Sequence, residues 1–304
     1  MVATTNTKGA AALLGAAFTY ACFGLLIREM ALMFGNNAQV AFRFVLAFAF
    51  LALFALLIKR PIRLSGKTLA KVALLGIAFC GVVILFTISV NLTKLGNSVF
   101  LLYAGSIVTS LLIGTLAFKE KLTTIKIIAI ILSLVGLAMY SSALLTLSLG
   151  VVTAVLSGVL DGVSNSIRKT LSGIDRNSIL LYQYAFGSVF ALLVLAIAPQ
   201  DSIRTISLMP VLAGLVFAAL LIGLGNLLLY GFQHFDVNVG TVILATELFF
   251  ASLLGWIFFH EIPTSNEVIG GTLIFMASIL SAVDVRAFMK RRKMATSSRV
   301  STKL

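Results

Sequence analysis

VGTVILATELFFASLLGWIFFHE, residues 239–261, is an apolar run about as long as a helix needs to cross a bilayer. Moved back 141 positions, it lies on SVFLLYAGSIVTSLLIGTLAFKE, residues 98–120. Gly255 then falls on Gly114, Phe259 on Phe118 and Glu261 on Glu120; just outside, Asn238 falls on Asn97 and Thr264 on Thr123. Self-similarity at a fixed offset marks a duplicated unit. One difference stands out: the later copy carries Glu247 near its middle, where the earlier copy has Ser106. The chain reads as two related halves with ionisable chemistry added to the second.

Composition agrees. Of 304 residues 60% are hydrophobic and 11% charged, with a mean hydropathy of +1.10. Soluble domains carry about 25% charge, so a water-soluble fold is excluded. Only helices or closed barrels satisfy every backbone polar group in hydrocarbon, and these runs lack the two-residue alternation of barrel strands. The fold class is therefore all-α and membrane-spanning. The net charge of +13 sits at the ends of apolar runs, at residues 59–71 and 290–303, which suits lipid headgroups and not nucleic acid. Cys22 and Cys80 lie inside apolar runs and imply neither disulfide nor metal. Residues 13–27 run straight into Arg28 and Glu29 without a small-residue cleavage site, so they read as a retained first span.

Spanning runs fall near 10–30, 38–58, 69–90, 97–118, 124–142, 147–167, 178–198, 209–232, 239–259 and 266–287, ten in all. Residues 1–142 form the first five-helix repeat, 143–288 the second, and 289–304 a basic tail. Of 23 Lys and Arg residues, 19 fall on the side holding both termini, three (Arg28, Lys94, Arg204) on the other, and Arg43 within a span. That bias predicts cytoplasmic termini in the cell's inner membrane. Five is odd, so the second repeat must be inserted upside down, the arrangement that alternating access exploits. At an offset of 140, Arg28 falls on Arg168 and Phe42-Arg43-Phe44 on Tyr182-Gln183-Tyr184.

Ionisable groups inside a membrane are functional candidates by default. Glu247, about 12 Å into its run at 1.5 Å per residue, is a site for a substrate cation or proton. Asp161 lies at similar depth and shares a helical face with Gly158 and Asn165, with Arg168 at the end of that face. Such a strip reads as a cavity lining, or as an acid that simply pairs with Arg168. Arg43 would bind a carboxylate or phosphate, pair with an acid, or anchor the outer leaflet. Gln183 takes its place in the repeat. Tyr20, Tyr103 and Asn226 complete the candidate substrate-binding set, with Glu247 and Asp161 as coupling residues. Asn97 and Asn238 read as helix N-caps. The 23 Phe residues read as lipid-facing bulk and core. Ser110 and Gly114, matched by Ala251 and Gly255, read as helix packing. No His/Cys/Asp cluster, phosphate loop or nucleophile elbow supports catalysis, so no enzyme, metal or cofactor is expected.

The order of Ala41-Phe42-Arg43-Phe44, of residues 118–123 (FKEKLT), of Thr246-Glu247-Leu248, of Leu254-Gly255-Trp256 and of residues 260–264 (HEIPT) resembles the drug/metabolite transporter superfamily in its EamA-type ten-helix form. The likeness covers essentially the whole chain. It implies secondary transport of small metabolites, mostly export. The family often places Pro after the acid corresponding to Glu247; Leu248 and Ile107 stand at the two repeat positions here, so the proline kink is missing. The reading is a secondary carrier exporting amino acids or related metabolites by alternating access, with proton coupling or exchange. Export of small organic cations or drugs, or a scaffold that transports nothing, is the alternative. The expected partners are a small-molecule substrate and membrane lipids; the oligomeric state, a monomer included, stays open.

Overall fold

The computed structural model describes residues 2–58, 64–93, 95–139, 148–199, 203, 206–259, 262, 264–266 and 268–280. Expectations about Lys94, Arg204, His260, Glu261, the far ends of the fifth and tenth runs and the tail at 289–304 lie outside these residues. The helices are α1 (Val2–Ala31), α2 (Asn36–Ile58), α3 (Gly66–Leu92), α4 (Leu95–Leu116), α5 (Thr124–Met139), α6 (Leu149–Thr170), α7 (Arg176–Ile197), α8 (Leu208–His234), α9 (Val237–Leu244), α10 (Glu247–Phe259) and α11 (Val268–Leu280). Eight spans among the described residues are long and apolar enough to cross a membrane, with α9 and α10 together forming one of them. α5 and α11 are shorter apolar helices. The fold is all-α, built from two five-helix repeats of inverted order.

Packing shows the duplication. Under the repeat, α1 corresponds to α6 and α3 to α8. α1 packs on α8, and its counterpart α6 packs on α3. α2 meets its own counterpart α7, and α4 meets α9 and α10. Outward faces carry Leu53, Phe54, Leu56 and Leu57 on α2, Ile127, Ile128 and Ile131 on α5, and Leu192 and Leu193 on α7, all exposed. Such a surface suits hydrocarbon and not water.

The tightest approach joins α4 to α6. A Cβ on Gly158 would collide with the Leu102 carbonyl, and one on Gly105 would lie 2.7 Å from the Val155 carbonyl. Without side chains there the two backbones touch, the small-residue packing that membrane helices use. Gly114 serves another purpose. Its missing Cβ leaves room for the Glu120 carboxylate, which would otherwise lie 2.6 Å away. Ser110 does face the other repeat, bonded to the Thr241 hydroxyl at 2.9 Å.

The ninth run breaks without proline. α9 ends at Leu244, and α10 begins at Glu247. Thr246 Oγ1 donates to Ile243 O at 2.7 Å. The backbone N–H groups of Thr246 and Leu248 bond three residues back, to Ile243 O and Ala245 O, at 3.2 Å each. A hydroxyl competing for its own backbone, with the turn tightened to i→i−3, takes the role the missing proline would have had.

The start of α9 is held from the first repeat. Past α4 the chain turns through Lys119, at φ 52°, and Glu120 N–H donates back to Gly114 O at 2.9 Å. Glu120 Oε1 then accepts from Lys169 Nζ at 2.5 Å and from Val237 N–H at 2.9 Å. The expected caps are therefore corrected. Asn238 is the second residue of α9, its side-chain atoms buried without a partner, and Asn97 lies inside α4. The carboxylate of Glu120 arrives from elsewhere and takes the orphan N–H, with the negative charge that a helix start favours. Asp236, the residue before α9, makes no cap bond because two lysines hold it: Lys126 at 2.6 Å and Lys169 at 3.2 Å. Partial burial works against its charge, but Lys126 and then Lys169 outweigh that and hold its carboxyl below the usual carboxylate range.

Gly158→Leu is expected to force α4 from α6 and cost about 3 kcal/mol or more, read as a large drop in melting temperature in detergent. Gly223→Leu, where a Cβ meets nothing within 4 Å, is the control that should melt like the parent. Equal melting of the two variants would refute the contact. Asp236→Asn is expected to lower the melting temperature by about 2 °C near pH 7, since the group is partly exposed. A depressed folded-state pKa stabilises above the unfolded value of about 3.9 and is lost as pH falls through the folded value. The deficit should therefore shrink as pH falls below about 4 and vanish only below the folded-state value; a deficit undiminished throughout that range would rule out the ion pairs as its cause.

Candidate functional site

A cavity lies among α1, α3, α4, α6, α8 and α10. Its apolar walls are Phe23 and Ile27 of α1, Val82, Val83 and Phe86 of α3, Leu102 of α4 and Phe217 of α8. Its polar groups are Tyr20, Tyr103, Asp161 and Glu247. No residue of α2 or α7 lines it, although Arg43 and Gln183 of these helices were expected to bind substrate. These helices sit one layer out, where α2 packs on α7.

The break in the ninth run delivers Glu247 to this space. As the first residue of α10 it sits at a helix start, where the backbone favours negative charge. Tyr103 Oη donates to Glu247 Oε2 at 2.5 Å. One turn along α4, Ser106 Oγ donates to Asp161 Oδ2 at 2.6 Å. Ser106 is the repeat counterpart of Glu247, so the first-half position answers an acid on α6 while the second-half position supplies one. The Gly105–Gly158 approach makes this contact possible.

Asp161 is better supported than Glu247. Asn165 Nδ2 also donates to Asp161 Oδ2 at 2.9 Å, and Asn165 Oδ1 accepts from Arg168 Nη1 at 2.5 Å. Arg168 does not reach out to the membrane surface. It is fully buried, with its guanidinium carbon 4.8 Å from the Phe79 ring centroid. The acid and the arginine are thus linked through one amide, although Arg168 Nε and Nη2 are buried without partners.

Four of the residues singled out in the sequence, Tyr20, Tyr103, Asp161 and Glu247, converge on the cavity, and Asn165 stands directly behind. Three do not line it. Arg43 lies behind Phe217, with its guanidinium carbon 4.2 Å from that ring's centroid. Gln183 is buried between α7 and α3, its carbonyl against Gly76. Asn226 Nδ2 donates to Ile222 O of its own helix at 3.2 Å. The aromatic expectation is corrected as well: Phe23 and Phe217 stack at 4.1 Å and, with Phe86, build a cavity wall. Phe on a wholly apolar helix gives no signal of which neighbour it faces. Ser106 was visible only as a counterpart of Glu247.

The site therefore offers two carboxylates, two phenols and an aromatic wall, and no basic side chain lines it. Chemically, this lining suits a cationic or donating group beside an apolar body.

A model of the EamA-like transporter family matches residues 7–142 and again 146–283. One solved structure, described only as "Crystal structure of protein", superposes with a TM-score of 0.72 at 15% identity. The match covers 93% of this chain and 99% of that one, a likeness of fold alone. A search of curated proteins found no match. With the family model fitted twice along an all-helical, duplicated bundle, this chain belongs to the EamA-like transporter family, membrane transporters of small molecules within the drug/metabolite transporter superfamily.

Proposed function

We propose that the chain is a secondary active carrier that exports small metabolites bearing a protonated amine, amino acids first among them, by alternating access. The observation that carries this reading is the meeting of two buried acids in one cavity without a lining base. An ionised carboxylate in such a space is costly unless a cation joins it, and a neutral one is not. Glu247 has Tyr103 as its donor, whereas Asp161 has Ser106, Asn165 and, through Asn165, Arg168. Asp161 is the acid equipped to stay charged. Glu247 is the acid that must take either a proton or a substrate amine, and that alternative couples the two fluxes. On the orientation that the positive-inside bias supports, the Glu120–Lys169–Asp236–Lys126 cluster lies at the cytoplasmic end and would have to part for the cavity to open inward.

Small organic cations without a carboxylate are the second reading, favoured by the same absence of a base on the cavity wall. In proteoliposomes, Glu247→Gln is expected to cut flux driven by a pH gradient at least a hundredfold while leaving the melting temperature within a few degrees. Tyr103→Phe should reduce it severalfold, because the acid keeps its charge but loses its donor. A Glu247→Gln protein that transports as well as the parent would end the proposal, and a parent that moves no solute would favour a scaffold.

A further inference from the structure

We infer that Arg43 and Gln39 form a second polar subsite, one layer behind the cavity, that takes the carboxylate of a zwitterionic substrate. This rests on the reading of the cavity as the amine site, and it separates amino acids from plain amines.

Three cations are buried among the described residues: Arg43, Lys126 and Arg168. Lys126 pairs with Asp236, and Arg168, though its Nε and Nη2 are also unbonded, reaches Asp161 through Asn165. Arg43 reaches no carboxylate, directly or through an intermediary. Its Nε donates to Gln39 O and its Nη2 to Thr87 Oγ1, both at 3.0 Å, and its Nη1 has no partner. One turn away, the Gln39 amide is wholly buried with neither its nitrogen nor its oxygen bonded. Dry, unpaired groups of this kind are rare because they are costly, and a guanidinium is the costliest. A planar fork with an open nitrogen, beside an amide with free N–H groups, matches the geometry of a carboxylate.

Phe217 connects the two sites. One face of its ring carries Arg43, the ring stacks on Phe23, and the same residue lines the cavity that holds Glu247 and Asp161. A turn of that one ring opens the cavity to the guanidinium. The substrate's amine then stays with the acids while its carboxylate replaces the ring as the partner of Arg43. In the other half Gln183 stands where Arg43 does, so the subsite exists once and gives the duplicated scaffold a single polarity for a dipolar solute.

The test measures binding to the full-length protein in nanodiscs, using matched pairs: leucine, phenylalanine, methionine and threonine, each beside the amine that lacks its carboxylate. The parent should bind at least one amino acid about tenfold or more tightly than its amine, the scale of a charge-assisted hydrogen-bonded pair. Arg43→Gln should erase that preference by weakening the amino acid tenfold while leaving the amine within twofold, and Arg43→Lys should fall between. If Arg43→Gln does not fold, Gln39→Leu replaces it and should reduce the preference about threefold. An equal loss for both members of a pair, or a preference that survives whichever variant is read, overturns the inference. A parent that binds amines and amino acids alike overturns it while sparing the cavity reading, and a parent that binds neither removes both.

Discussion

Carboxylates held away from water need donors, and here both depend on one helix. Tyr103 and Ser106, a turn apart on α4, donate to Glu247 on α10 and Asp161 on α6. Between them sits Gly105, which lets α4 settle onto α6 at backbone distance. A longer side chain there would move Ser106 away from Asp161 and leave an acid short of a donor in a dry interior, a loss of several kcal/mol. Packing and chemistry are therefore one contact. The first repeat supplies hydroxyls, the second supplies acids, and neither half could hold the site alone.

α9 ties this centre to the far end of the bundle. It has eight residues, about 12 Å of rigid rod, and side chains from outside its hydrogen-bond ladder set both its ends. Glu120 holds the first N–H groups, and the Thr246 hydroxyl ends the ladder two residues after Leu244. Freeing α9 from Glu120 would let the rod shift, and the shift would have to be absorbed where the ladder is already broken. Glu247 begins immediately after that point. The end of the bundle and the central acid thus meet across a single short element, which is how a small displacement at one becomes a change of partner at the other.

Much of this was legible in the chain because it depends on local pattern. Spanning length, the offset between residues 98–120 and 239–261, and the odd number of runs per half are properties of letters in order. Tyr103, Asp161 and Glu247 could be singled out because polarity in mid-span is costly and requires a reason. What could not be read depends on contacts between distant segments. Nothing near Asn238 shows that a glutamate from the other repeat will take its helix start, so a cap was assigned to the nearest eligible side chain. Thr246 can face a neighbour or its own backbone with equal ease, and only the packed structure decides that it stands in for a proline. Phe217 is the same letter whether it faces lipid, a cavity or a guanidinium.

The halves are alike in family pattern and helix order and unlike in charge. Ser106 answers to Glu247 and Gln183 to Arg43, while the acid at Asp161 falls where the first half has Ala21. A duplicated scaffold inserted in opposite senses provides two conformations of nearly equal energy, because exchanging the halves exchanges the ends that are closed. Strict symmetry would make those conformations equivalent toward any solute as well. Unlike groups at equivalent places remove that equivalence: the acids lie on second-half helices, the guanidinium of Arg43, which reaches no acid, on a first-half helix, and Phe217 stands between them. In the proposed cycle the backbone determines which states exist, and the unlike side chains determine what each can hold without leaving a charge unpaired.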